Sequence, residues 1–151
     1  MSKKWTGGND KSYLESEIID DILKYAPEKI FIGCDSQPIK NKIVFVKAIC
    51  VVREDKGARF WTQRITVPKK NFTVLSVRLI EEVNLACNTA IQLRESLPYE
   101  IVVHADISPH EKNRSNKVAQ QAIAYIKALQ FEYAIKPDSW ASCSVADRKT
   151  K

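Results

Sequence analysis

The hydrophobic and polar positions of the chain follow two patterns, one typical of helices and one typical of strands. Apolar residues recur every three or four positions in three segments, which predicts helices at residues 14–23, 73–96 and 115–129. β-branched and aromatic residues concentrate in five other segments, which predicts strands at residues 29–35, 42–53, 58–67, 99–106 and 131–136. A last short helix is expected after residue 139. This order of elements predicts an α/β fold.

The first three predicted strands are joined by short turns, at residues 38–41 and 54–57. Such turns favour an antiparallel meander. Residues 42–53 are almost continuously apolar, which is typical of a strand that is buried on both faces. Residues 58–67 alternate between apolar and polar side chains and indicate a strand nearer the edge of the sheet.

The amino-terminal residues differ in composition from the rest of the chain. Residues 1–11 are mostly polar and are expected to form a flexible N-terminal arm. Ser12 and Glu15 have the spacing of a capping box, which is expected to begin the first helix, and Pro27 is expected to end it. Neither a linker nor a repeat divides the remainder of the chain, so residues 12–151 are predicted to form a single domain.

Composition and charge narrow the class of protein. Hydrophobic residues make up 44% and charged residues 28% of the 151 residues, as in ordinary globular domains. No apolar run approaches the ~20 residues that span a membrane, and the first residues have no signal-peptide pattern. No membrane partner and a cytoplasmic location are therefore expected. The net charge of +6 favours a polyanionic partner such as nucleic acid.

Several kinds of site are disfavoured by the residues that the chain contains. The four cysteines are far apart and form no C-x-x-C pair, so they are expected to be reduced, small apolar residues. The chain has four glycines and no phosphate-binding glycine loop, which argues against a nucleotide cradle. Two histidines are too few for a histidine-rich metal centre, and no G-x-S-x-G elbow is present. The acidic residues remain as the candidates for chemistry.

Two predicted strands end on an aspartate. The segment FIGCD ends on Asp35, and the segment IVVHAD ends on Asp106. If these strands are parallel neighbours, both carboxylates lie at the same edge of the sheet, where ligands of open α/β sheets usually bind. A buried carboxylate without a partner is costly, so such positions favour a site that a cation can reach.

The long helix predicts a third acid on the side that faces the sheet. At ~100° per residue, Glu82 falls within the apolar stripe of this helix, while the neighbouring Glu81 points to the opposite side. Two interpretations of Glu82 stay open. Either it lies at the margin of the stripe and pairs with a lysine, or it reaches over the sheet towards Asp35 and Asp106.

Three further residues are candidates near the same edge. Asp147 lies in the expected last helix, where the chain turns back over the sheet. Asp138 lies in the segment PDS and is interpreted first as a helix-capping turn residue. His104 is expected to share a strand face with Asp106, either in contact with the site or as a structural histidine. Clustered carboxylates repel one another unless a cation is present, and Mg²⁺ or Mn²⁺ prefers such oxygen ligands.

The order of these elements and acids resembles the ribonuclease H fold. The resemblance implies a five-stranded mixed sheet, with three antiparallel strands followed by two parallel ones, flanked by helices and preceded here by an extra helix. It also implies a catalytic, metal-binding set of acids that falls on Asp35, Glu82, Asp106 and Asp147. The segments IGCDSQ, VHADIS and IKPDSWASCSVADRKTK are similar to the YkuK-type family of uncharacterised ribonuclease-H-like proteins, which implies that Asp138 is either an additional acid or an organiser of its loop. The basic handle helix and the histidine loop of some ribonucleases H are not found in the sequence.

Two classes of function are implied by this resemblance. The first is a metal-dependent nuclease that hydrolyses RNA, an RNA–DNA hybrid or structured DNA by a two-metal-ion mechanism. In that hypothesis the cations Lys136, Arg148 and Lys149 contact phosphates of the substrate. The alternative is a non-catalytic nucleic-acid-binding or scaffold module with the same fold. A complete set of clustered acids favours the nuclease, because negative charge does not help a protein to bind a polyanion.

Overall fold

The computed structural model describes residues 4–72, 74–108, 115–141 and 145. Its strands are β1 (Trp5–Gly7), β2 (Ser12–Tyr13), β3 (Lys29–Ile39), β4 (Lys42–Arg53), β5 (Gly57–Pro68), β6 (Glu100–His104) and β7 (Glu132–Ala134). Its α-helices are α1 (Glu15–Tyr25), α2 (Leu75–Arg94) and α3 (Ser115–Ala128), and a short 3₁₀ helix covers Lys69–Asn71. The expected last helix after residue 139 falls mostly outside the described residues.

These strands belong to one mixed sheet with the order β2-β1-β5-β4-β3-β6-β7. Strands β3, β4 and β5 pair antiparallel, as the short turns predict. Strands β6 and β7 then add parallel to β3. The α/β class and the arrangement of three antiparallel strands followed by two parallel ones are therefore confirmed.

Over the described residues the sheet has seven strands, so the prediction of five was wrong. The two additional strands lie in the polar amino-terminal region: β1 pairs antiparallel with β5, and β2 pairs with β1. Trp5 explains this addition, because its side chain is only 4% exposed and joins the main core. Tyr13 contributes as well, since its ring packs edge-on against Trp61 with the centroids 6.2 Å apart.

The first helix also begins later than the capping-box spacing predicts. Ser12 belongs to β2, and α1 begins at Glu15. The Leu14 amide donates a 2.8 Å hydrogen bond to Oε1 of Glu17, which satisfies one of the amides that a helix start leaves open. The carboxylate that caps this helix is therefore that of Glu17, two residues after the predicted Glu15.

Strand β4 is buried on both faces, as its continuous apolar run predicts. Its residues Ile43, Phe45, Ile49 and Val51 face the main core, which includes buried side chains of α1, α2 and α3. The alternate residues, Val44, Val46, Ala48 and Cys50, form a second cluster with Ala141 and the partly buried Trp140. Burial of one such large side chain contributes about 1.5–3 kcal/mol to folding. The helices thus lie on one face of the sheet, and Trp140 and Ala141 lie on the other.

Strand β3 continues beyond Asp35, so the prediction that it ends there was wrong. It extends to Ile39 because the hairpin with β4 continues as far as the pair Ile39 and Lys42. Its pairing with β6, in contrast, stops at Gly33, opposite His104. Asp35 therefore lies inside a strand but beyond the end of its parallel neighbour. None of the described helices is both long enough and apolar enough to cross a membrane.

Candidate active site

Asp35 and Asp106 lie at the place where β6 stops pairing with β3. Each is two residues beyond the last parallel pair, Gly33 and His104. Asp35 is 5% exposed, whereas the Asp106 side chain is 25% exposed. The parallel register thus brings the two predicted acids to one edge of the sheet, with Asp35 deeper than Asp106.

Glu82 reaches the sheet from α2 and contacts the residue that follows Asp35. Its side chain is 7% exposed, and its Oε2 accepts a 2.5 Å hydrogen bond from the Ser36 hydroxyl. Glu81 instead accepts a hydrogen bond from Asn84 on the same helix. Of the two interpretations of Glu82, the structure therefore favours the one in which this side chain faces the sheet.

The pKa of Glu82 shows how strongly its surroundings disfavour the ionised form. Burial raises this pKa to about 8, and the charges of Asp35 and Asp106 act in the same direction. The hydrogen bond from Ser36 and the nearby charge of Arg78 act in the opposite direction. The carboxyls of Asp35, Glu82 and Asp106 therefore interact electrostatically although they come from three distant parts of the sequence.

Lys136 provides a cation at the outer side of the site. Its Nζ lies 2.8 Å from Oδ1 of Asp106, and about half of its side chain is exposed. The Lys136 amide donates to the Ile107 carbonyl at 2.9 Å, which fixes the backbone beside Asp106. A residue predicted to contact substrate phosphates thus forms an ion pair with one of the acids.

His104 is buried on the face of the sheet that Trp140 and Ala141 cover. Its Nδ1 accepts a 3.0 Å hydrogen bond from the Ala141 amide, and its ring packs against Phe31 and Trp140, both with centroids 5.2 Å away. Burial lowers its pKa to about 4, although the charge of Asp138 opposes that shift. The imidazole is therefore neutral near pH 7. These contacts favour the structural interpretation of His104.

Asp138 lies in the exposed turn after β7. Its amide donates to the Ile135 carbonyl at 2.8 Å, which closes this turn. The placement fits the turn interpretation of Asp138. Asp147, Arg148 and Lys149 lie outside the described residues, so their predicted roles stay predictions.

The oxygen donors at this edge suit a hard divalent cation in type. Carboxylate oxygens are the ligands that Mg²⁺ and Mn²⁺ prefer, and a cation relieves the repulsion that contributes to the raised pKa of Glu82. Within residues 4–72, 74–108, 115–141 and 145, however, no group of three or more His, Cys, Asp or Glu side chains is arranged to hold a metal ion. The donor type fits, but the described side chains do not complete a three-ligand site as they stand.

Two polar residues of the site were not predicted from the sequence. Ser36 donates to Glu82, and Arg78 donates from Nε to the Ser36 hydroxyl at 3.1 Å. One signal was available, because Arg78 precedes Glu82 by four residues and so shares its face of α2. The partner on β3 could not be identified without the packing of α2 on the sheet.

A family profile described as Ribonuclease H-like matches residues 16–151, which is most of the chain. The chain belongs to the ribonuclease H-like family. The match spans Asp35, Glu82, Asp106 and Asp147, and it begins after the β1–β2 hairpin. The family membership agrees with the sheet order β5-β4-β3-β6-β7 of the five strands that follow the hairpin.

Two solved ribonuclease H structures are similar to this ribonuclease H-like chain. One is the N-terminal ribonuclease H domain of a Mycobacterium tuberculosis protein, solved as a fusion with maltose-binding protein, with 15% identity, a TM-score of 0.37 and coverage of 81% of this chain and 93% of that chain. The other is RNase H1 from the halophilic archaeon Halobacterium salinarum, with 10% identity, a TM-score of 0.36 and coverage of 80% and 96%. A search of curated proteins finds no match to the chain.

Proposed function

We propose that this ribonuclease H-like protein is a metal-dependent nuclease that hydrolyses phosphodiester bonds in RNA, an RNA–DNA hybrid or structured DNA. The observation that carries the proposal is the burial of Glu82 within electrostatic reach of Asp35 and Asp106, which raises its pKa to about 8. Three carboxyls that repel one another destabilise the fold unless a bound cation neutralises their charge. Such an arrangement is therefore typical of a functional site. The net charge of +6 supports a polyanionic substrate.

In this proposal Asp35, Glu82, Asp106 and Asp147 hold Mg²⁺ or Mn²⁺. Bound there, such ions supply an activated water and neutralise charge on the leaving oxygen. The protein keeps Asp35 and Glu82 away from bulk water, which strengthens their interaction with a cation. Lys136, Arg148 and Lys149 contact phosphates, and Lys136 exchanges its contact with Asp106 for one with the substrate.

The finer assignments belong to the same proposal. The carboxy-terminal segment IKPDSWASCSVADRKTK supports membership of the YkuK-type branch of the family. A cytoplasmic location is proposed on the sequence pattern alone. Asp138 and His104 are proposed to organise the segment that leads to Asp147 rather than to touch the substrate.

Cleavage of labelled RNA, RNA–DNA hybrid and branched DNA in Mg²⁺ or Mn²⁺ tests the proposal. Asp35→Asn should reduce the rate at least about a hundredfold, because a neutral amide is a poor ligand for a hard cation. Glu81→Gln is the matched control, since Glu81 lies next to Glu82 but bonds to Asn84 on its own helix. Cleavage that needs no divalent cation, or that persists in Asp35→Asn, would contradict the proposal.

The non-catalytic binding module has one observation in its favour. The ion pair between Lys136 and Asp106 neutralises an acid of the site from within the protein. A module of this kind would bind the same nucleic acids without cleaving any of them in Mg²⁺ or Mn²⁺. Binding that is unchanged by Asp35→Asn, together with no cleavage by the native protein, is the result that selects it.

A further inference from the structure

A chain of hydrogen bonds joins α2 to β3 beside the acids. Arg78 donates from Nε to the Ser36 hydroxyl at 3.1 Å and from Nη2 to the Ser36 carbonyl at 3.2 Å. The same hydroxyl lies 2.5 Å from Oε2 of Glu82. Ser36 therefore lies between a cation and a carboxyl that both belong to α2.

The serine hydroxyl determines which groups donate and which accept in this series of hydrogen bonds. A serine hydroxyl has one hydrogen to donate, and it accepts hydrogen bonds through its lone pairs. Ser36 accepts from Arg78 through a lone pair, so its own hydrogen stays available to donate to the ionised Glu82 carboxylate. The guanidinium thus fixes the orientation of the hydroxyl, and the hydroxyl fixes the position of the carboxyl.

The location of Ser36 makes this arrangement relevant to Asp35. Successive side chains of a strand point to opposite faces of the sheet, so Ser36 faces α2 while its neighbour Asp35 faces the other way. The hydrogen bond from Ser36 therefore ties Glu82 to the part of β3 that carries Asp35. Without it, the buried Glu82 carboxyl would lose a donor while the repulsion from Asp35 and Asp106 stayed in place.

We infer that Ser36 and Arg78 are positioning residues, which hold the Glu82 carboxyl at the place where the pairing of β3 with β6 stops, so that it can help the acids there to bind a divalent cation. The inference rests on the proposed function and assigns roles to two residues outside the set of acids. Partners that orient metal ligands in this way are worth about 10-fold to 100-fold in metal affinity or activity.

Calorimetric titration of the full chain with Mn²⁺ alone tests this inference without a substrate. Ser36→Ala should weaken Mn²⁺ binding by about 10-fold to 100-fold, whereas Ser36→Thr, which keeps a hydroxyl, should restore binding to near the native value. Arg78→Lys keeps a positive charge but loses the two-point contact with Ser36, so it should weaken binding in the same direction. Ser96→Ala is the control, because Ser96 is exposed and lies beyond the end of α2.

Cleavage kinetics provide a second measurement. Ser36→Ala should lower kcat at a fixed Mn²⁺ concentration, leave KM for the nucleic acid unchanged, and regain activity when Mn²⁺ is raised. Native-like Mn²⁺ affinity in both Ser36→Ala and Arg78→Lys overturns the inference while the nuclease proposal stands. A native protein that neither binds Mn²⁺ nor cleaves overturns the nuclease proposal itself. If Ser36→Ala does not fold, the comparison of Arg78→Lys with the native protein decides.

Discussion

Glu82 is an acid of the site whose ionised form is disfavoured by its surroundings. It is a carboxyl on the helix face that packs against the sheet, and burial together with two other acids raises its pKa to about 8 from the usual 4.5. Helical periodicity predicts its place within the apolar stripe, and the orientation towards the sheet was one of the two interpretations that the sequence left open. Ser36 and Arg78 were not predicted, because their contact depends on how α2 packs against β3 and has no counterpart in sequence spacing.

The raised pKa makes stability depend on pH. The folded state binds the Glu82 proton more tightly than the unfolded chain does, so this contribution is fully present below about pH 4.5 and is lost as the pH rises towards 8. Between these values the free energy of unfolding should fall by up to about 1.4 kcal/mol per pH unit. Glu82→Gln, which cannot ionise, should remove this slope.

Urea unfolding of the native protein, Glu82→Gln and Glu81→Gln from pH 5 to pH 9 measures this effect. The difference between native protein and Glu82→Gln isolates one group, because all other titrations are shared. Parallel pH profiles for these two proteins would mean that Glu82 is not held in a buried, repelling environment.

The elements show which parts of the fold the sequence pattern specifies. Apolar runs and periodicity identified β4, α2 and the parallel strand β6, since each buries a large apolar surface. The β1–β2 hairpin was missed because its strands have only three and two residues and contain mostly polar side chains and glycine. Its place in the sheet depends on Trp5, whose partners are distant in sequence.

Trp5 should therefore stabilise the side of the sheet that β1 and β2 form beside β5. Trp5→Ala removes a side chain that is 4% exposed and should reduce the free energy of unfolding by about 3–5 kcal/mol. Leu23→Ala is the control, because Leu23 lies on α1 with 44% of its surface exposed, and its loss should be small. Equal effects of the two substitutions in chemical denaturation would contradict the placement of β1 in the sheet.

His104 connects β6 to the segment that leads to the last predicted acid. His104→Phe keeps an aromatic ring against Phe31 and Trp140 but removes the acceptor of the Ala141 amide, which should cost about 1–3 kcal/mol. Hydrogen exchange of that amide should accelerate in His104→Phe and less in His104→Asn, which retains an acceptor. Unchanged exchange in both variants would show that this contact does not hold the segment.

The same histidine adds a second pH effect with the opposite sign. Its folded pKa of about 4 lies below the usual 6.5, so its contribution to stability is present above about pH 6.5 and is lost as the pH falls towards 4. In His104→Phe the free energy of unfolding should fall less over this range than in the native protein. Denaturant unfolding at pH 4.5 and pH 7 measures the difference, and equal losses in the two proteins would contradict it.

The whole molecule is a ribonuclease H-like sheet that a hairpin extends beside β5, and Asp35 and Asp106 lie where the pairing of β3 with β6 stops. The sequence was sufficient for the fold class because the order of its predicted strands and helices resembles that of the ribonuclease H fold. It could not establish how close the acids come, since that distance is set by the stopping point of the β3–β6 pairing and by the rotamer of Glu82. The central claim is that these acids bind a divalent cation together.

The most direct test is the anomalous scattering of Mn²⁺ in crystals of the full chain soaked with that ion. We expect a peak between Asp35 and Asp106, with carboxylate oxygens at about 2.1 Å and with Glu82 joining them directly or through water. Asp35→Asn crystals soaked in the same way should lack this peak. A map with no Mn²⁺ at this edge of the sheet, or with Mn²⁺ only at surface positions remote from Asp35, would contradict the account.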